Sequence, residues 1–139
     1  MLVPGTDTYM RVYLVDGSNA VRRGGYDPRF PAMEEARTAQ WVGLIDGLCA
    51  GMGGRLSVEI FFDGPRRSVG VSCSNISVRF PMSGTADDMI LGAVRLLARE
   101  GRAGVVVTQD DDLASDCVRE GARVIRFSEF ESRLRSGRC

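Results

Sequence analysis

Short apolar runs alternate with helical patterns along this chain, and no other feature of the sequence restricts the fold as strongly. Five runs bounded by glycine, proline or aspartate predict β-strands, over residues 10–15, 56–62, 76–80, 105–107 and 123–127. Between and after them, apolar residues at helical spacing predict helices, over about 32–50, 85–100, 111–120 and 128–135. Strands that alternate with helices form a mainly parallel sheet covered on both faces. We therefore predict a three-layer α/β fold, Rossmann-like in outline.

A chain of 139 residues is the length of one domain, which we place at residues 10–135. Residues 1–9 lack the basic start and apolar middle of a signal peptide, so we expect a flexible tail there and a second short tail at 136–139. The four cysteines form no C-x-x-C pair, which argues against a zinc site and favours free thiols. Together these features predict a protein of the reducing cytoplasm.

Two absent residue types restrict the chemistry. Histidine is missing, which excludes Ser-His-Asp and Cys-His catalysis and leaves carboxylates as acid-base groups. Lysine is also missing, so all 18 basic residues are arginine. Because the formal net charge is zero, binding of nucleic acid has to rest on a local basic patch. No apolar stretch is long enough to cross a bilayer, so we expect no membrane partner.

Acidic residues follow several predicted strands. Asp16 ends the first strand, Asp63 the second and Asp110 the fourth, while Asp87 and Asp88 open the helix after the third. Parallel strands end at one edge of the sheet, where ligands of α/β proteins bind. Clustered carboxylates repel each other unless a cation neutralises them, and Mg²⁺ or Mn²⁺ prefers oxygen ligands. The pattern therefore predicts a divalent metal site suited to phosphodiester hydrolysis.

Each acid also has a purely structural interpretation. Thr85-x-x-Asp88 and Thr108-x-x-Asp111 fit a capping-box pattern, and acids in a first helical turn are stabilised by the helix dipole. Asp63 precedes Gly-Pro and is typical of a turn. Asp16 directly follows a buried run at the position where α/β sites are built, so a functional role is favoured there.

Four segments together resemble the NYN domains of the PIN-like nuclease superfamily, with the YacP-like bacterial members closest in outline. They read LVDGSN, IFFD, TADDMI and VVVTQD, at residues 14–19, 60–63, 85–90 and 105–110. The resemblance extends from about Arg11 to Phe130. It implies a PIN-like fold and metal-assisted hydrolysis of RNA with Mg²⁺ or Mn²⁺. It also implies that Asp16, Asp87 and Asp110 bind the metal, with Asp88 or Asp112 completing the catalytic set.

Contacts with RNA are expected from polar residues near the same strand ends. Asn19 is implied by the resemblance to support a ligand or a phosphate, and paired arginines on loops after strands are candidates for the phosphate backbone. The substrate-binding set that we predict is Ser18, Asn19, Thr108, Arg22, Arg23, Arg66 and Arg67.

Three other functions remain in competition. A catalytically inactive module of the same fold would bind RNA or the ribosome without turnover. A receiver-like signalling domain also uses strand-end aspartates, but it needs a lysine that this chain lacks. A nucleotide site is disfavoured because no G-x-x-x-x-G-K or G-x-G-x-x-G loop follows a strand. The helix with Trp41 is also compatible with a homodimer interface, although a tryptophan that belongs to the core or to the free surface is the more frequent outcome.

Overall fold

A computed structural model describes residues 11–52 and 55–139 of the chain and contains one sheet of parallel strands. The predicted tail at 1–9 and the first residue of the predicted first strand, Met10, lie outside the described residues. The strands are β1 Arg11–Asp16, β2 Leu56–Phe61, β3 Ile76–Arg79, β4 Val105–Val107 and β5 Arg123–Ile125. Their order in the sheet is β3-β2-β1-β4-β5, and each neighbouring pair is parallel. The predicted fold class is confirmed.

Helices follow or connect the strands as the sequence predicts, with two local differences. Their bounds are α1 Gly17–Val21, α2 Pro31–Cys49, α3 Ala86–Arg99, α4 Asp111–Arg119 and α5 Phe127–Ser136. The glycine, serine and asparagine after Asp16 are typical of a turn and predict a loop there, but residues 17–21 form α1 instead. The last strand ends two residues earlier than predicted, and Phe127 begins α5 with its ring fully buried. None of these helices is long and apolar enough to cross a membrane.

Both faces of the sheet are covered, which gives three layers. Tyr13 and Val15 of β1 pack into one core with residues of α2 and α5. Val12 and Leu14 point to the opposite face and pack with residues of α3 and α4. This alternation is the two-residue period of a strand that is buried on both sides.

Trp41 belongs to the core and is not an exposed contact for a second copy. Its side chain is 8% exposed, and its ring meets that of Phe127 edge-on at a centroid distance of 6.4 Å. The four cysteines are free, as predicted. Cys49 and Cys117 are buried, whereas Cys73 and Cys139 are only partly buried.

The strand order reverses between β1 and β4. From β1 the chain proceeds to β2 and β3 on one side, and β4 and β5 lie on the other. Val15 pairs with Val107 in parallel register, so Asp16 and Thr108 are the next residues of two adjacent strands. This is the switch point at which open α/β sheets bind their ligands.

Candidate active site

Asp16 is the centre of the candidate site because it is a carboxylate buried at the switch point. Its side chain is 3% exposed. One oxygen, Oδ2, accepts a hydrogen bond from the Thr108 hydroxyl at 2.8 Å, and Oδ1 accepts one from the Asn19 backbone N–H at 3.4 Å. The second bond also makes Asp16 the N-cap of α1. The side chain therefore has a fixed position between β1 and β4.

Thr108 and Asn19 connect the end of β1, α1 and the loop after β4 around this carboxylate. The Thr108 hydroxyl donates to Asp16 and accepts from the backbone N–H of Asp110 at 3.0 Å. The Asn19 side-chain oxygen accepts from the backbone N–H of Gln109 at 2.9 Å. Both residues were predicted to bind substrate, and both make hydrogen bonds that hold the loop after β4 against α1.

Burial and neighbouring acids make the charge on Asp16 costly. Desolvation and the charges of Asp87 and Asp110 raise the pKa of Asp16 from 3.8 to about 6, although the hydrogen bond from Thr108 opposes the shift. Asp87 is exposed, yet partial desolvation and then the charges of Asp110 and Asp63 raise its pKa as well. The strand-end acids thus repel each other across the site, as the sequence analysis expects.

The first turn of α3 supplies two of the predicted acids with different structural roles. Thr85 and Asp88 form the predicted capping box, in which the Thr85 hydroxyl accepts from the Asp88 N–H and the Asp88 carboxylate accepts from the Thr85 N–H. Asp87 makes no hydrogen bond with the described residues. Of the two, Asp87 has the carboxylate that is available to a ligand.

Asp110 is the N-cap of α4, whereas the predicted capping pattern assigned that role to Thr108, which is wrong. Its Oδ1 accepts from the N–H groups of Asp112 and Leu113 at 2.9 and 3.1 Å. Its second oxygen, Oδ2, makes no hydrogen bond within the described residues. Asp112 is exposed in the first turn of the helix. Asp110 therefore caps α4 with Oδ1, and its Oδ2 is available to a ligand.

Ser18 and Asp63 connect α1, the end of β2 and the start of α3. The buried Ser18 hydroxyl accepts from the Asp63 N–H at 2.8 Å. The Asp63 carboxylate in turn accepts from the Ala86 N–H at 3.0 Å, next to Asp87. Ser18 was predicted to bind substrate, and in the structure its hydroxyl connects α1 to the residue that follows Phe62. Asp63 is more than the turn residue that the sequence predicts, because it fixes the helix that presents Asp87.

Arg22 and Arg23 lie on a short 3₁₀ turn after α1 and have intramolecular partners. The Arg22 guanidinium pairs with Glu34 and lies 3.6 Å from the Asp63 carboxylate. The Arg23 guanidinium is 3.4 Å from Glu131. Arg22 therefore borders the acidic site, and Arg23 faces α5.

The two arginines after β2 differ from each other. Arg67 is fixed, because its guanidinium donates to the Pro65 carbonyl at 3.1 Å and lies over the rings of Phe62 and Phe80. Arg66 is exposed and makes no ion pair with the described residues. Of the four predicted phosphate contacts, Arg66 has the guanidinium that is most open to one.

The donor set fits a hard divalent cation. Among residues 11–52 and 55–139, no three acidic, histidine or cysteine side chains stand close enough to hold one ion directly. Mg²⁺ commonly takes only one or two carboxylates and completes its coordination with water and phosphate oxygens. The candidate ligands are carboxylate oxygens of Asp16, Asp87 and Asp110. Burial and the neighbouring acids disfavour the charged form of Asp16, and a bound cation would relieve that cost.

Two residues of this region escaped the sequence analysis. Asp116 adds to the charges that raise the pKa of Asp87, and it lies one helical turn after Asp112 on α4. The i, i+4 spacing from Asp112 could have indicated in the sequence that Asp116 lies on the same face of α4. Gly17 is the other. A Cβ at Gly17 would lie 2.7 Å from the Phe62 ring, so the start of α1 approaches β2 more closely than another residue allows.

Two solved structures of Rae1 (YacP) from Bacillus subtilis have the same architecture. A tryptophan-to-leucine mutant superposes with a TM-score of 0.68 at 20% identity, covering 92% of this chain and 77% of that one. The other structure gives a TM-score of 0.63 at 21% identity, with 92% and 75% covered. The chain has the YacP-like NYN fold. No family model and no curated protein matches the sequence. The likeness to these two structures shows the fold alone, and the chemistry has to be argued from the chain's own side chains.

Proposed function

We propose that this protein is a metal-dependent ribonuclease that hydrolyses RNA phosphodiester bonds at its strand-end aspartates. The observation that carries the proposal is the buried Asp16 carboxylate at the switch point, whose pKa is raised by burial and by Asp87 and Asp110. Capping helices and forming turns would not require acids that repel each other at this edge of the sheet. A site that binds cations and phosphates gives this arrangement a function.

Mg²⁺ or Mn²⁺ would be held directly by Asp16 together with Asp87 or Asp110, and the third acid would reach the ion through bound water. A bound divalent ion would activate water and stabilise charge on phosphate oxygens. Asp110 would serve the site through Oδ2, because Oδ1 caps α4. Asp88 is assigned a supporting role, since both its carboxylate and its N–H belong to the capping box.

Other residues of the chain position these acids and the substrate. Thr108 and Asn19 keep Asp16 in one orientation through the hydrogen bonds described above. Ser18 and Asp63 fix the start of α3. Arg66 is the candidate contact for an RNA phosphate, since an exposed guanidinium binds phosphate oxygens in pairs.

A second candidate function is the inactive RNA- or ribosome-binding module. The observation in its favour is that Asp88 and Asp110 already cap helices, which gives acids at these positions a role without chemistry. The two candidates differ in turnover and in their need for metal. Binding of RNA in EDTA, together with no product when Mn²⁺ or Mg²⁺ is supplied, would favour the inactive module.

The test is cleavage of end-labelled single-stranded RNA with Mn²⁺, with Mg²⁺ and in EDTA. We expect cleavage with metal and none in EDTA. Asp16→Asn is expected to lower the rate by at least about 100-fold, because it removes a ligand charge at the centre of the site. The matched control is Asp111→Asn, which removes an exposed charge next to Asp110 and is expected to keep the rate within about threefold. Equal cleavage by wild type and Asp16→Asn, or cleavage that continues in EDTA, would overturn the proposal.

A further inference from the structure

Two aromatic rings are exposed beside the candidate site. Tyr26 is 50% exposed and Phe30 is 52% exposed, and Met33, also 50% exposed, adjoins them. All other aromatic side chains in residues 11–52 and 55–139 are buried. Scattered exposed apolar residues are ordinary, but these three line the same depression. We call the exposed surface that Tyr26, Phe30 and Met33 form together the aromatic surface.

The depression under the aromatic surface is small. It has a volume of about 230 Å³ and lies between the 3₁₀ turn and α2, with Glu34 and Arg37 in its wall. Sites for drug-sized ligands are larger, roughly 300–1,000 Å³. A flat ring such as a single nucleobase fits this space better than a whole cofactor does.

Arginines accompany both rings and leave part of each ring open. The Arg22 guanidinium lies 4.0 Å from the centroid of Tyr26, and that of Arg29 lies 5.6 Å from the centroid of Phe30. Each side chain remains about half exposed, so both rings can be reached from solvent. Arg37 donates to the Gly25 carbonyl and makes no ion pair with the described residues, so it adds positive charge to the depression. The guanidinium groups of Arg22 and Arg29 are already paired with Glu34 and Asp27. Exposed rings beside the Arg37 guanidinium complement the bases and phosphates of a nucleic acid better than an apolar peptide.

The aromatic surface is continuous with the aspartate site through Arg22. The same guanidinium that covers Tyr26 lies 3.6 Å from the Asp63 carboxylate. Asp63 accepts a hydrogen bond from the Ala86 N–H at the start of α3, next to Asp87. A strand whose phosphate lies at the aspartates would therefore meet the aromatic surface with its neighbouring nucleotides.

We propose that the aromatic surface binds unpaired bases of a single-stranded RNA by stacking them on Tyr26 and Phe30. The inference rests on the proposed function and narrows its substrate class. Bases in a duplex are already stacked on each other and cannot use these rings, whereas bases of a single strand can be splayed onto them. The surface therefore selects single-stranded over double-stranded RNA.

The experiment measures binding apart from cleavage. The affinity for a fluorescent oligouridine of about 12 nucleotides is determined by anisotropy in EDTA. We expect Tyr26→Ala and Phe30→Ala each to weaken binding about fivefold or more, the lower end of the stacking effect of one base. Tyr26→Phe and Phe30→Tyr keep the rings and are expected to stay within about twofold of wild type. The matched control is Leu96→Ala, which removes an apolar side chain that is 55% exposed near the far end of α3.

Each outcome of the experiment decides a separate claim. Unchanged affinity of both alanine variants would overturn the inference, and it would leave the proposed function intact if wild type still cleaves RNA with Mn²⁺. Ring-dependent binding without cleavage under any condition would support the inference while the nuclease proposal fails. If the alanine variants instead lose self-association in sedimentation and keep their RNA affinity, the aromatic surface contacts a second copy and the inference is wrong.

Discussion

Asp16→Asn is expected to stabilise the metal-free protein at neutral pH while it abolishes function. In the fold the pKa of this carboxyl group is raised from 3.8 to about 6, so its charged form is disfavoured relative to the unfolded chain. The stability associated with the neutral form is fully present below about pH 3.8 and is lost as the pH rises to about 6. An asparagine cannot ionise, so it avoids this loss.

The magnitude follows from the same pKa values. The difference between 3.8 and about 6 corresponds to roughly 3 kcal/mol at 1.36 kcal/mol for each pKa unit. The new amide can donate to the Thr108 hydroxyl oxygen and accept from the Asn19 N–H, while the Thr108 hydroxyl turns toward the Asn19 side-chain oxygen, 3.4 Å away. Imperfect geometry of these bonds costs about 1 kcal/mol. A net gain of about 2 kcal/mol remains at pH 7.5.

The assay is urea unfolding in EDTA at pH 7.5 and at pH 4. We expect Asp16→Asn to be more stable than wild type at the higher pH, and to lose this advantage and become slightly less stable than wild type at the lower one. Adding Mn²⁺ is expected to stabilise wild type alone, by about 2.7 kcal/mol at 100 times the dissociation constant. A destabilised variant at pH 7.5, or an advantage that does not change with pH, would refute the electrostatic argument.

Three further substitutions separate structural from functional roles. Asp110→Asn keeps a good N-cap and is expected to change the free energy of unfolding by less than about 0.5 kcal/mol, yet to abolish cleavage of labelled RNA; retained cleavage would mean that this acid is only a cap. Thr85→Ala removes the capping-box hydroxyl and is expected to cost about 1 kcal/mol in urea unfolding, whereas no loss would contradict the cap. Gly17→Ala places a methyl 2.7 Å from the Phe62 ring and is expected to cost about 1–3 kcal/mol by the same measurement, whereas no loss would contradict the close approach of α1 to this ring.

The regular elements could be predicted from the sequence because their apolar residues repeat at the spacing that burial requires. The predicted helix at 32–50 matches α2 at Pro31–Cys49, and the short run at 105–107 matches β4. Where sequence patterns failed, a capping hydrogen bond in one case and burial in the other decided the structure. The residues after Asp16 are typical of a turn, but Asp16 itself caps them into α1. Phe127 fits a strand pattern, yet it is buried as the first residue of α5.

The site was partly visible in the sequence, since acids at strand ends must share one edge of a parallel sheet. Their individual roles were not visible, because they depend on contacts between distant parts of the chain. Ser18 and Asp63 are 45 residues apart and share a hydrogen bond. Arg22 and Arg67 were expected to bind phosphate, but their guanidinium groups have partners inside the protein. Loop arginines at equal sequence spacing thus differ in availability, which only the tertiary contacts reveal.

The most direct measurement of the central claim is anomalous diffraction from crystals soaked with Mn²⁺. The account predicts a peak coordinated by Asp16 together with Asp87 or Asp110, with water completing the coordination. The matched soak of Asp16→Asn crystals is expected to show no peak there. If crystals of protein that cleaves RNA bind Mn²⁺ only at other positions, or show no metal at these carboxylates at a saturating concentration, the proposed metal site is wrong.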